Sequence, residues 1–163
     1  MKNLARILRT LALTLWLGGI LFFGAVLAPT AFRVLPTIHD AGLVVGASLA
    51  SLHHIGLICA ALIAASLIVL DFPRSRNRSL QFALVLIMAA FTWSSMHFIT
   101  GPMERDRAAA NGDIIRLATS DPLRVDFDAR HIWSTRIESG VLISGVIIAI
   151  LFSIEGRNAS DPR

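Results

Sequence analysis

Four stretches of this 163-residue chain, 11–28, 41–70, 80–99 and 137–154, hold a single formally charged side chain between them, Glu138. A helix rises about 1.5 Å per residue and needs about 20 residues to cross about 30 Å of hydrocarbon, a length these stretches reach or approach. Lipid offers no partner to a free backbone amide or carbonyl, so such segments cross as helices or as strands of a closed barrel, and four are too few for a barrel. The fold class that follows is all-α, an integral membrane four-helix bundle. The expected helices are residues 7–28, 41–70, 80–99 and 131–154, in one domain over residues 1–163, with a long loop at 101–130.

Composition agrees and narrows the field. Hydrophobic residues make up 55% and charged residues 16%, and the mean hydropathy is +0.67, which sets the chain apart from an ordinary soluble domain. The net charge of +4 does not point to nucleic acid, because the basic residues stand at helix ends and not on a face with interleaved aromatics. Cys59 is the one cysteine. It excludes an internal disulfide, a thiolate zinc cluster and a Cys-x-x-Cys pair, and reads as a small buried hydrophobe. The first segment, with Lys2, Arg6 and Arg9 before it and Ala-Val-Leu-Ala before Pro29, imitates a secretory signal. It is longer than a usual signal core and more membrane segments follow, so it reads as an uncleaved first helix.

Local signals set the expected boundaries and orientation. Pro29 lacks the amide hydrogen to continue the first helix, and Gly101-Pro102 is a breaker pair after the third. The fourth helix, beginning near His131, takes Arg136 and Glu138 into its first two turns. The stretch 103–118 has helix-forming composition and suits a membrane interface. Lys2, Arg6 and Arg9, with Arg74, Arg76 and Arg78 between helices two and three, place those ends in the cytoplasm. The first loop offers only Arg33 to oppose them, and the third mixes five arginines with six acids. Both termini are then cytoplasmic, in a bacterial inner (plasma) membrane. Gly42 and Gly46, extended by Ala50, form a small-residue stripe suited to helix contact or a homodimer, and Gly24/Ala28 and Gly140/Ser144 are similar faces.

This topology brings His39, His53, His54, His97 and His131 to one side of the membrane from distant parts of the sequence. His131, Ser134, Thr135 and Glu138 recur at three- and four-residue spacing and share a helix face. A charge costs about 2.5 to 3.5 kcal/mol at the centre of a membrane helix. Glu138 is only about 10 Å below His131. Arg136 is expected to snorkel, while Glu138 is the candidate buried carboxylate. Imidazoles with one carboxylate suit a transition metal such as copper, or haem, better than magnesium or calcium. The candidate metal ligands are His53, His54, His97, His131 and Glu138, with Met96 and Met103 as soft neighbours. Ser134, His131 and Asp128 are hydrolase residue types, but no nucleophile elbow or oxyanion hole accompanies them. Trp133 fits an interfacial anchor, and Trp16 and Trp93 are expected inside the bundle.

The landmarks Leu15-Trp16-Leu17-Gly18-Gly19, Phe22-Phe23, Ala28-Pro29 and Phe32-Arg33-Val34-Leu35-Pro36 resemble bacterial members of the transmembrane protein 205-like family, formerly a domain of unknown function. The resemblance continues through Ala41-Gly42, Gly101-Pro102-Met103 with Arg107, and Phe127-Asp128 with His131 and Ser134. It covers nearly the whole chain and implies a four-helix integral membrane protein without supplying a mechanism. The family's fourth-helix pattern runs His, two residues, Ser, two residues, an aliphatic and Asn; here Ile137 and Glu138 fill the last two places. A role of that amide does not carry over to Glu138.

The leading reading is a non-enzymatic membrane protein that binds a metal ion, haem or another small ligand at an outward His/Glu cluster, coupled to transport through a homodimer. A structural or accessory subunit without a ligand and a haem-binding redox subunit are the alternatives.

Overall fold

The structure is a computed structural model describing residues 1–70 and 75–160, the side chains of 156–160 excepted. Asp71, expected to follow the second helix, and Arg74, counted for orientation, lie outside the described residues. Four long helices dominate: α1 (Lys2–Val34), α2 (Ile38–Val69), α3 (Arg76–Ala109) and α4 (Pro122–Ser160). All four are long and apolar enough to cross a membrane, and the chain is a multi-pass membrane protein. They run up and down, α1 against α2, α2 against α3, α3 against α4, with α4 closing on α1. One end of the bundle carries the start of α1, the end of α2 and the start of α3; this is the terminal end. The opposite, loop end carries residues 35–37 and 110–121.

Apolarity does not separate inside from outside here, because both are apolar. Trp16, Ile63, Leu67, Val85, Met88, Val141 and Ile148 are buried in the core, whereas Leu11, Leu15, Ile58, Ile143 and Ile150 are exposed on the helix faces. Shape makes the distinction, since lipid competes equally for greasy side chains and close approach is what helix pairs gain. At Gly56 a β-carbon would stand 2.5 Å from Trp16 Nε1, so the missing side chain is what admits the indole. Trp16 is inside as expected. Trp93 is not: it is 49% exposed and stacks on His97 with centroids 4.5 Å apart. Arg136 turns back over the exposed Trp133 ring at 5.2 Å.

Helices α1, α3 and α4 are all longer than the sequence signals suggest. Helix α1 continues past Pro29, and α3 runs through Gly101-Pro102 to Ala109; in both, a π-helical segment, Phe23–Leu27 or Ser95–Thr100, precedes the proline. The amides of Ala28 and Gly101 reach back five residues, to the carbonyls of Phe23 and Met96. The wider turn relieves the clash between a proline ring and the carbonyl four residues earlier, and the proline then occupies the start of the next α-helical stretch, where its missing amide costs little. Helix α4 begins at Pro122, not near His131. Asp121 accepts the Leu123 amide at 2.9 Å, an Asp-Pro start signal lying in the supposed loop. The expected loop 101–130 is thus helical at both ends and holds between them a tight turn, with Asn111 and Gly112 at positive φ, one 3-10 turn, Ile114–Arg116, and a turn closed by the Asp121 amide on the Ala118 carbonyl.

A polar clamp joins three helices and the end of the fourth at the terminal end. Arg9, buried on α1, hydrogen-bonds Gln81 Oε1 at 3.4 Å, packs over Phe152 and lies 3.0 Å from Glu155 Oε2, out of line for a hydrogen bond. Arg78 donates to the other Glu155 oxygen at 2.9 Å and to the Leu70 carbonyl. Arg9 and Arg78 read in the sequence as basic flanks; the fold turns them inward onto a shared carboxylate.

Candidate functional site

At the loop end the outer part of α1 is scarcely packed against α4, and a cavity of about 840 Å³ is lined by both together with α2, the end of α3 and residues 112–115. This volume is in the range of small-molecule pockets, about 300–1,000 Å³. Its walls differ in chemistry. The α1 wall is wholly apolar, including Ile20, Leu21, Ala25, Pro29 and Phe32. The α4 wall carries Asp128, His131, Ser134, Thr135, Glu138 and Ser139, the three- and four-residue stripe visible in the sequence. Both π segments contribute to the lining, through Phe23, Gly24 and Ala25 on α1 and Thr100 on α3.

Glu138 marks the deepest charge on the α4 wall. Its Oε1 lies 2.7 Å from His53 Nε2 of α2, and the side chains of His53 and Glu138 are 2% and 16% exposed. The carboxylate faces the cavity with the imidazole behind it. His53 Nδ1 is buried without a partner, so a neutral ring that donates from Nε2 leaves only a bare acceptor in the core, a cheaper defect than a bare N–H.

Above this pair, Glu104 and Arg107 of α3 are joined at 2.7 Å and lie against the glycine stripe of α2. A β-carbon on Gly42 would stand 3.2 Å from Arg107 Nη2, and one on Gly46 would stand 2.5 Å from Glu104 Oε1. The stripe, expected to meet a helix or a second copy, receives an ion pair from α3 of the same chain. A groove without β-carbons gives these two long polar side chains room to lie against α2. Arg107 also faces the Phe127 ring at 5.6 Å, and Arg130 pairs with Asp106 to tie α4 to α3. Gly24, with open space before it, faces the cavity.

The five residues expected as metal ligands do not gather. His53 and Glu138 meet, and His131 lines the same cavity. His54 is exposed and its Nδ1 is 2.8 Å from the Ala50 carbonyl. His97 is likewise exposed, with Nδ1 3.1 Å from the Trp93 carbonyl. Among the described residues no group of three or more His, Cys, Asp or Glu could hold a metal ion. The reason is rotational: neighbours in sequence such as His53 and His54 diverge by about 100° around a helix, so only one can face the interior. His39 does reach the cavity, packed against the Gly112 turn with its Nδ1 buried and unpartnered.

Sequence reasoning missed Thr100, Glu104 and Arg107 as cavity residues. The Glu104-x-x-Arg107 spacing was legible, but it lay in a segment assigned to a loop. Gln81, a polar residue inside an apolar run, was the signal for the clamp.

No curated protein and no solved structure matches the chain. A family profile described as a domain of unknown function, DUF4149, matches residues 11–110. That stretch covers α1 from Leu11 onward, α2 and α3, with the glycine stripe and both π segments, and ends before the α4 wall. By this match over more than half its length, the chain belongs to the DUF4149 family.

Proposed function

We propose that this protein is a non-catalytic membrane binding protein that holds a small molecule in the loop-end cavity, with Glu138, backed by His53, as the polar anchor. The observation that carries this reading is a carboxylate held at depth against a buried imidazole in the wall of a cavity large enough for a ligand. An intramembrane ionisable residue is expensive, and facing a wet cavity or a ligand is how such a residue is tolerated. The arrangement favours binding over catalysis because Ser134, His131 and Asp128 follow one another along one helix, whose amides are engaged within the helix and leave no oxyanion hole beside the serine. The basic residues Lys2, Arg6, Arg76 and Arg78 at the terminal end support a cytoplasmic placement of both termini and an outward cavity in a bacterial inner membrane. The resemblance to the transmembrane protein 205-like family is compatible with this reading and adds no ligand.

The test is to identify small molecules that accompany the full chain through purification in mild detergent, by mass spectrometry of the extracted protein. Two cavity-filling variants, Ala25→Trp on the α1 wall and Thr135→Trp on the α4 wall, serve as comparisons, since both positions are exposed and line the cavity. A compound at near-stoichiometric level in the wild type and depleted in both variants, with melting temperatures preserved, is the expected result. Identical extracts from all three proteins would remove the reading.

A further inference from the structure

The cavity's two walls and its side opening constrain what kind of molecule fits, and this inference rests on the binding reading above. The α1 wall exposes Leu21, Ala25, Pro29 and Phe32, and the α4 wall exposes His131, Thr135 and Ser139 across from it. A wholly polar ligand would leave the first wall wetted for nothing, and a wholly apolar one would leave Ser134 and the second Glu138 oxygen without partners.

The two arginines that line the cavity are already engaged. Arg107 is paired with Glu104 at 2.7 Å and Arg124 with Asp128 at 2.8 Å, so a phosphate or carboxylate head would have to compete with resident carboxylates. Glu138, by contrast, has one oxygen on His53 and faces the cavity, which suits a group that donates hydrogen bonds.

We propose that the cavity takes a single-chain amphiphile with a hydrogen-bond-donating head, a long-chain amine or alcohol, which enters sideways from the leaflet at the loop end. The head reaches Glu138, and the chain lies along the apolar α1 wall and leaves between α1 and α4 into lipid. Sideways access rests on the exposure of Leu21, Ala25, Phe32, His131, Thr135 and Ser139 along the α1 and α4 walls, with residues 112–115 lining the loop-end side. It also accounts for an intramembrane stripe whose hydroxyls, Thr135 and Ser139, bond back to their own helix carbonyls at 3.2 and 2.8 Å, and so remain compatible with a passing alkyl chain.

The experiment uses the full chain in phosphatidylcholine vesicles and three photoreactive probes of equal length carrying a mid-chain diazirine: hexadecylamine, hexadecanol and hexadecanoic acid. The amine or the alcohol should crosslink to α1 and α4 cavity residues about tenfold more than the acid, a difference of about 1.4 kcal/mol. Glu138→Gln keeps a hydrogen-bond acceptor and loses the charge, so it should remove amine labelling and spare alcohol labelling; Glu138→Leu should remove both. Labelling by the acid at the level of the other two, or labelling no greater in the cavity than on the lipid-facing groove at Leu8, Leu15 and Ile58, overturns the proposal. Competition by butylamine as effective as competition by hexadecylamine would also overturn it, while leaving small-molecule binding at the cavity intact.

Discussion

Glu104 Oε1 stands 2.5 Å from the point a β-carbon on Gly46 would occupy. The Gly-x-x-x-Gly stripe of α2 is therefore a berth for side chains of the same molecule. Gly46→Ala should displace the flexible, 45% exposed Glu104 side chain from Arg107 and lower the melting temperature in detergent, at a cost of about 1 kcal/mol or less. In a Glu104→Ala background the same substitution should cost close to nothing, because the colliding atom is gone. Equal effects in both backgrounds would mean that the stripe meets something else, and a change in particle size with Gly46→Leu would restore the dimer face.

The contact between His53 and Glu138 should show as coupling. In a cycle of His53→Ala, Glu138→Ala and the double variant, measured by unfolding in detergent, the interaction energy should be about 1–2 kcal/mol, near the upper end for polar pairs in membrane proteins. Single substitution at Glu138 should hurt more than the double, since it strands an imidazole that is 2% exposed. Additive losses would show that the two residues do not act as a pair.

At the other end of the bundle, Glu155 pairs with both Arg9 and Arg78. Glu155→Ala should destabilise by about 2–4 kcal/mol, somewhat below the range for a fully buried pair because the Glu155 side chain is 21% exposed. Arg76→Ala, at an exposed position of the same region, should change stability by about 0.5 kcal/mol or less. Urea or thermal unfolding of the two variants gives the comparison; similar losses would show that the clamp contributes no more than a surface charge.

Orientation is open to a direct assay. Alkaline phosphatase fused at Asn111, in the turn of the loop end, should be active in the periplasm, and a fusion after Arg163 should be inactive. The reverse pattern would move the cavity to the cytoplasmic leaflet.

The run lengths of uncharged residues by themselves determined that four helices cross and that they alternate in direction, because hydrocarbon leaves the backbone no alternative to internal hydrogen bonding. The α4 stripe of His131, Ser134, Thr135 and Glu138 was also legible, since side chains three and four apart share a helix face whatever surrounds them. Proline misled where it was read as a terminator: a π turn before Pro29 and Pro102 lets both helices continue, and that choice depends on what the extended segment packs against. Partners of residues far apart in sequence were decided only in three dimensions. His53 finds Glu138 85 positions away, His54 turns to its own helix, and Arg9 finds Glu155. In a chain whose inside and outside are equally apolar, hydropathy carries no record of which face is buried. That is settled by where glycines let helices and side chains approach, as Gly46 admits Glu104 and Gly56 admits Trp16.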